Sequence, residues 1–361
     1  MKAFNLRMRS IILALQFLLP IVLGIGCSGT TTTTQIKALS PPQNLLLIGD
    51  VLLWDEVENA VGYQIYANDA IVAETKDNSY MLTHKNAMDE TIKCKALGDN
   101  VAYKDSFFSF EITRMAYVEP VLAEYDLNTG TSIEVAADIT YAKIVGDVGK
   151  SYSDFTLKIL SREKDLKIEL VNVNAVAQYC SSAIYSEEYK NSNVCKGYNV
   201  YLISEGEGNS IQGGLGRRGA DGADGSFMVS GGDGGTGGTG GSAVTVENLI
   251  ICGSADLSLL GGKGGKGGTG GDGGEFIVGS GSTAGSGGKG GTGGDGITAK
   301  SIYFYGDEDM TLTVTGGNGG EGGECGGNSA LGEGIVYGDG TAGGIGKKHN
   351  AKLVVLKGIY R

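Results

Sequence analysis

Between residues 261 and 274 the chain reads GGKGGKGGTGGDGG, fourteen residues of which ten are glycine, with Lys263, Lys266, Thr269 and Asp272 each at the third place of a triplet. Period three is the repeat of the polyproline-II helix, which rises about 3.1 Å per residue and has no internal hydrogen bonds. A flexible linker has no reason to hold every large side chain at that place. In GGX triplets the X side chains form one row and the other two edges are bare, so neighbouring runs approach closely enough for N–H···O=C and Cα–H···O contacts. Ordering glycine costs on the order of 1 kcal/mol or more per residue. A single run is therefore unstable, and the pattern requires several stacked together.

Self-comparison finds the others. LSLLGG at 257–262 recurs as LTVTGG at 312–317, and YLISEG, which contains Leu202, opens a similar block as far before Leu257 as Leu312 lies after it. VTVENLIICG at 244–253 matches ITAKSIYFYG at 297–306, and HNAKLVVLKG at 349–358 reads as a third copy. The unit is strand, turn, strand, outgoing glycine run, apolar hook, returning glycine run, with Phe227, Phe276 and Ile335 in the hooks as expected anchors. The returning X positions Lys289, Thr292 and Asp295 are polar, as are Asn318, Glu321 and Glu324 in the next unit. The rows Lys263, Lys266, Thr269, Asp272 and Lys289, Thr292, Asp295 form the candidate binding surface. Repeats of paired strands predict a β-solenoid, and the triplets resemble the polyglycine-II layers of certain phage-tip adhesins and glycine-rich antifreeze proteins. GRRGADGADG at 216–225 keeps the collagen period, but it lacks proline and ends after three triplets, which argues against a triple helix.

Composition divides the chain. Of 64 glycines, 54 fall from Gly206 onward, and none of the four prolines does. We place the glycine-rich repeats at 205–361, preceded by a strand region at 115–204 with runs such as ITYAKIVG, DLKIELV and GYNVYLI. From 38 to 114, short alternating segments are separated by polar turns, the pattern of a small antiparallel sandwich. Pro41 and Pro42, Trp54 in VLLWDEV, GYQIYAND at 62–69, Tyr80 and the series Ile92, Cys94, Ala96 resemble a bacterial fibronectin type III domain. That family places a tyrosine six residues before the alanine to tie down a strand crossing. This chain has Glu90 there, so the corner must be held another way. The expected fold class is all-β: a fibronectin type III sandwich followed by a β-solenoid-like region with polyglycine-II hairpins.

Residues 1–27 have the layout of an export signal. Lys2, Arg7 and Arg9 precede an apolar core from Ile11 to Ile25, which is short for a bilayer span of roughly 20 residues. LGIGC at 23–27 resembles a bacterial lipobox with Gly24 in the usual leucine place, so Cys27 is the expected lipidation site. The Thr-rich stretch 28–37 reads as a tether. Export permits disulfides, and Cys180 with Cys195 is the nearest pair. The formal charge of −12 disfavours nucleic acid, whose binding rests on basic clusters.

Chemistry is sparse. GGTGGDGI at 290–297 resembles the repeats-in-toxin calcium pattern through Asp295, but the tandem copy that calcium needs is missing; Asp295 fits better as another X position, and no metal or cofactor is expected. With two histidines and no CxxC pair, zinc is not expected. No GxSxG or HExxH motif occurs. Asp307 and Asp309 form a carboxylate pair in an expected turn. The sequence thus suggests a non-catalytic, membrane-anchored cell-surface protein that binds an unidentified protein or glycan. The alternatives are an extracellular polysaccharide-acting enzyme on a β-solenoid and a structural or ice-interacting layer. Acidic and aromatic residues clustered on one solenoid face would favour the enzyme.

Overall fold

The computed structural model describes residues 36–192, 196–227, 229–274, 283–327 and 338–361. Cys27, Cys195, Phe276 and Ile335 lie outside them. The chain is all-β except for one short helix, Glu187–Ser192, in a region we expected to hold strands alone. Among the described residues no helix is long and apolar enough to cross a membrane.

The chain forms two compact units. The larger takes Leu47–Leu52, Met81–Glu90 and Thr113–Arg361, while Leu53–Tyr80 and Thr91–Ile112 belong to the smaller. The division cuts through the strands Leu46–Ile48, Glu90–Leu97 and Ile112–Arg114, so it does not set residues 38–114 apart as one unit, and the expected fibronectin type III sandwich is not shown. Inside the smaller unit, Gly62–Ala67 pairs antiparallel with Ala70–Thr75, and Ile65, Ile92, Cys94 and Ala96 are buried. Trp54 packs edge-on to Tyr63, with ring centroids 5.2 Å apart.

The larger unit is a parallel β-solenoid. Seven strands form its first sheet: Leu122–Asp126, Tyr141–Val145, Leu166–Val171, Asn199–Glu205, Asn248–Gly253, Ser301–Gly306 and Leu353–Lys357. A second row, Asn174–Ala177, Asn209–Gln212, Leu257–Leu260, Thr311–Thr315 and Ile359–Tyr360, joins a third, Ile184–Ser186, Val244–Thr245 and Ile297–Thr298, through the strand Ser151–Ile159. Alternation directs every second side chain inward, and register stacks them: Ala142, Ile168, Leu202, Ile251 and Phe304 are successive partners down the first sheet, all buried. Like-on-like stacking of aliphatic side chains in one continuous core supplies the main driving force.

The coil that separates Ile251 from its partner Phe304 is far longer than the one that separates Ala142 from Ile168, because glycine excursions leave the solenoid between the second and third rows. Leu257 does pair with Leu312, as the repeat of LSLLGG in LTVTGG predicts. Leu202 pairs with Ile251, however, so the true counterpart of LSLLGG in the preceding coil is NSIQGG, where Asn209 pairs with Leu257.

The glycine runs form a hydrogen-bonded stack of three layers, each an outgoing run followed by a returning one. Run 261–274 is bonded to four neighbours. Gly264 N donates to Asn318 O (2.8 Å) and Gly265 N to Gly238 O (2.8 Å); Lys263 O accepts from Gly216 N (2.7 Å) and Gly265 O from Gly291 N (2.8 Å). A Cβ on Gly264 would lie 2.0 Å from Gly291 O, so glycine is required there. Phe227 is 56% exposed and does not anchor its hook. The backbone lattice is what holds these arms.

Candidate functional site

The row residues lie where triplet geometry puts them. Lys263, Asp272, Lys289 and Thr292 are exposed, and Lys266, Thr269 and Asp295 are half-buried between glycines. The outgoing and returning rows occupy different runs. Lys263 pairs with Glu321 at 3.7 Å and Lys266 with Glu324 at 3.5 Å, both from the next layer. Asp221 Oδ1 accepts the Thr269 amide and hydroxyl, Asp272 Oδ1 accepts Gly327 N, and Asp295 Oδ1 accepts Lys347 N at 2.8 Å. Much of the row's charge is thus engaged within the stack. Among the described residues no group of three metal-ligating side chains converges. Cys180 is a free, exposed cysteine whose Sγ accepts Arg217 N at 3.4 Å.

Glu90, at the place of the missing tyrosine, is buried and ion-paired. Arg114 Nη1 donates to its Oε1 at 2.8 Å, His84 Nε2 lies 2.9 Å away, and Arg114 Nη2 reaches Asp50 at 2.9 Å. Burial opposes its charge, but hydrogen bonds from His84 and Arg114 hold its carboxyl below the usual carboxylate range. The carboxylate thus ties together residues far apart in sequence, His84 and Arg114.

The outer face of the first sheet gathers a different set of residues. Alternation turns Tyr141, Lys143, Lys167, Glu169, Cys252, Tyr303 and Tyr305 away from the core, as their burial shows against the buried Ala142, Ile144, Ile168 and Phe304. Register pairs them in two groups: Tyr141 lies beside Lys167 and Lys143 beside Glu169, and Cys252 lies beside Tyr305, with the strand Asn199–Glu205 between the groups. The Tyr141 hydroxyl donates to Glu169 Oε2, and Lys143 Nζ lies 3.4 Å from Oε1 of the same carboxylate. Burial, reinforced by Glu169, raises the Tyr141 phenol well above its ordinary value, so it stays protonated and a donor. Burial also pushes the Cys252 thiol up to about 12, with Lys167 opposing. Tyr201, on the same face, is covered and only 6% exposed. The half-buried Tyr303 and Tyr305 add apolar ring surface.

Sequence reasoning missed this set. Its signal was the alternation in ITYAKIVG, DLKIELV and SIYFYG, which marks the outer residues of each strand but not which strands are neighbours.

No family model matches the sequence, and no curated protein matches it. Among solved structures, a family 28 exopolygalacturonase from Yersinia enterocolitica is 11% identical over 77% of this chain, with a TM-score of 0.34; the chain spans 66% of that enzyme's length. Pectate lyase Pel3 from Pectobacterium carotovorum is 12% identical over 77% of this chain and 86% of its own, with a TM-score of 0.18; a second crystal form covers 82% at 0.19. These values place no residue of those enzymes on a residue here. The neighbours are named as an exopolygalacturonase and a pectate lyase, and at these TM-scores they carry no activity to this chain; the expectations of a fibronectin type III family, of a non-catalytic adhesion module and of a chain that is no enzyme find no support in them.

Proposed function

We propose that this chain is an exported, polysaccharide-acting protein whose glycan lies on the outer face of the first sheet. The observation that carries the reading is the Tyr141–Glu169–Lys143 cluster, set on one solenoid face with Tyr303 and Tyr305. Aromatic rings cover the apolar faces of sugars, while hydroxyl, carboxylate and ammonium groups meet their hydroxyls. The Tyr141 hydroxyl, the Glu169 carboxylate and the Lys143 ammonium together offer donors and an acceptor to sugar hydroxyls. Lipidation of Cys27 would tether the protein to a membrane. A Cys27→Ala variant that still partitions into membranes would remove that element.

The test is a panel of neutral and acidic polysaccharides, read by affinity electrophoresis and by new chain ends. The wild type should retard on and shorten one class. Tyr141→Phe and Glu169→Gln should each weaken retardation on that class about tenfold while keeping the melting temperature. A wild type that neither binds nor shortens any member sinks the proposal.

A further inference from the structure

Apart from Ala284 beside the middle hook, the glycine stack departs from its own pattern in its two outer layers. In the first two returning runs, Gly234, Gly290 and Gly293 face the outgoing run of the following layer; a Cβ there would lie 2.1 Å from Gly268 O, 2.1 Å from Gly320 O and 1.8 Å from Gly317 O. The bonds from Gly290 N to Thr341 O, Gly293 N to Gly344 O and Gly296 N to Lys347 O fix the register of the third returning run. In it, the places equivalent to Gly290, Gly293 and Gly296 hold Ala342, Ile345 and Lys348. Ile345 is 74% exposed.

The first layer carries the matching exception. Cβ atoms on Gly265, Gly268 and Gly271 of the second outgoing run would lie 1.9, 1.9 and 2.0 Å from the carbonyl oxygens of Arg217, Ala220 and Ala223 in the run before. In that first outgoing run the equivalent places are Arg217, Ala220 and Ala223 themselves. GRRGADGADG is therefore an end run, with glycine kept where a neighbour stacks and replaced where none does.

The backbone groups left at the two ends are complementary. Among the described residues, Gly316, Gly319 and Gly322 donate no N–H, although their counterparts Gly261, Gly264 and Gly267 donate to Thr315, Asn318 and Glu321 O. At the other end the carbonyls of Arg218, Asp221 and Asp224 accept no backbone N–H, although Lys266, Thr269 and Asp272 O accept from Gly219, Gly222 and Gly225. A donor row and an acceptor row with the same period form a heterologous, non-closing contact between copies of one chain, as unprotected sheet edges do.

We propose that the two ends of the stack are latent interfaces for a glycine run of a second copy, and that Ala342, Ile345 and Lys348 at one end and Arg217, Ala220 and Ala223 at the other keep them closed. The test opens one end at a time in the full chain, with A342G/I345G/K348G and R217G/A220G/A223G. Sedimentation should show wild type and each variant alone as monomers, an equimolar mixture of the two variants as a 1:1 complex, and the sixfold variant as a concentration-dependent ladder. Aggregation from simple destabilisation would not need mixing. Wild type that associates through these ends, or a mixture of well-folded variants that stays monomeric, overturns the proposal. Should a triple variant lose the wild-type melt, Ala342→Gly/Ile345→Gly is titrated with a labelled GGKGGKGGTGGDGG peptide. At least tenfold tighter binding than to wild type is expected, and equal or absent binding also overturns it.

Discussion

Gly264→Ala adds one methyl to the middle of the glycine stack, and the close approach of the neighbouring runs sets the scale of its effect. The new Cβ would sit 2.0 Å from Gly291 O and 2.8 Å from Gly320 N. Carbon contacts settle at about 3.5–4.0 Å, so run 285–295 must retreat by roughly 1.5 Å or more and run 316–327 by about 0.7 Å or more. Three bonds stand in the way: Gly264 N to Asn318 O (2.8 Å), Gly291 N to Gly265 O (2.8 Å) and Gly320 N to Gly291 O (2.7 Å). At about 1 kcal/mol net for each bond, the loss is roughly 3 kcal/mol. Alanine's smaller unfolded-state entropy returns about 0.5–1 kcal/mol. The remaining 2–2.5 kcal/mol, at about 2–4 °C per kcal/mol for a domain of this size, lowers the melting temperature by roughly 4–10 °C. Lys263→Ala is the matched control, one residue away, with an exposed side chain that pairs with Glu321 at 3.7 Å. It should shift the melt by less than about 2 °C. Scanning calorimetry on the full chain compares the two, and indistinguishable melts would show that the run is not an ordered part of the fold.

Arg114→Met leaves Glu90 buried beside His84 without its main partner and should destabilise the chain by about 3–5 kcal/mol in urea titration; adding Glu90→Leu should recover most of the loss. Because Glu90 titrates lower in the folded chain than in the unfolded one, its contribution is complete above the ordinary carboxylate range and is lost as pH falls through the folded value. Wild type should therefore lose more stability between neutral and acid pH than Glu90→Gln does, and parallel curves would contradict the assignment. Iodoacetamide at pH 8, followed by peptide mass spectrometry, should label exposed Cys180 promptly. Cys94 and Cys252, whose thiols burial pushes up to about 12, should react only after unfolding.

What the sequence shows and hides follows from the lengths of the excursions. Leu257 and Leu312 could be matched by eye because the coil between them has the same make-up at both ends, and they are register partners. The same spacing misplaced Leu202, because the coil that closes on Ile251 is shorter and register is set by each coil's own length. The site was hidden for that reason: Tyr141 and Glu169 are neighbours only through a register that pairs Lys143 with Glu169, one full coil further along the chain. Glu90 could be seen to be out of place, but its partner Arg114 could not be named, since the two are 24 residues apart and meet only in the folded chain.

The third residue of each triplet needs a different account from the one its polarity suggests. Two glycine N–H groups per triplet bond neighbouring runs, which leaves the X amide as the one donor outside the lattice. Aspartates of the preceding layer take it repeatedly: Asp221 accepts Thr269 N, Asp224 accepts Asp272 N, Asp233 accepts Ser286 N, and Asp295 accepts Lys347 N. Aspartate is short enough to reach the amide of the adjacent run, whereas Lys263 and Lys266 pass over it to pair with Glu321 and Glu324. The aspartate in GGTGGDG is therefore an interlayer acceptor that completes the backbone bonding of a glycine triplet, and its likeness to a calcium loop arises because both arrangements set a short carboxylate among glycines.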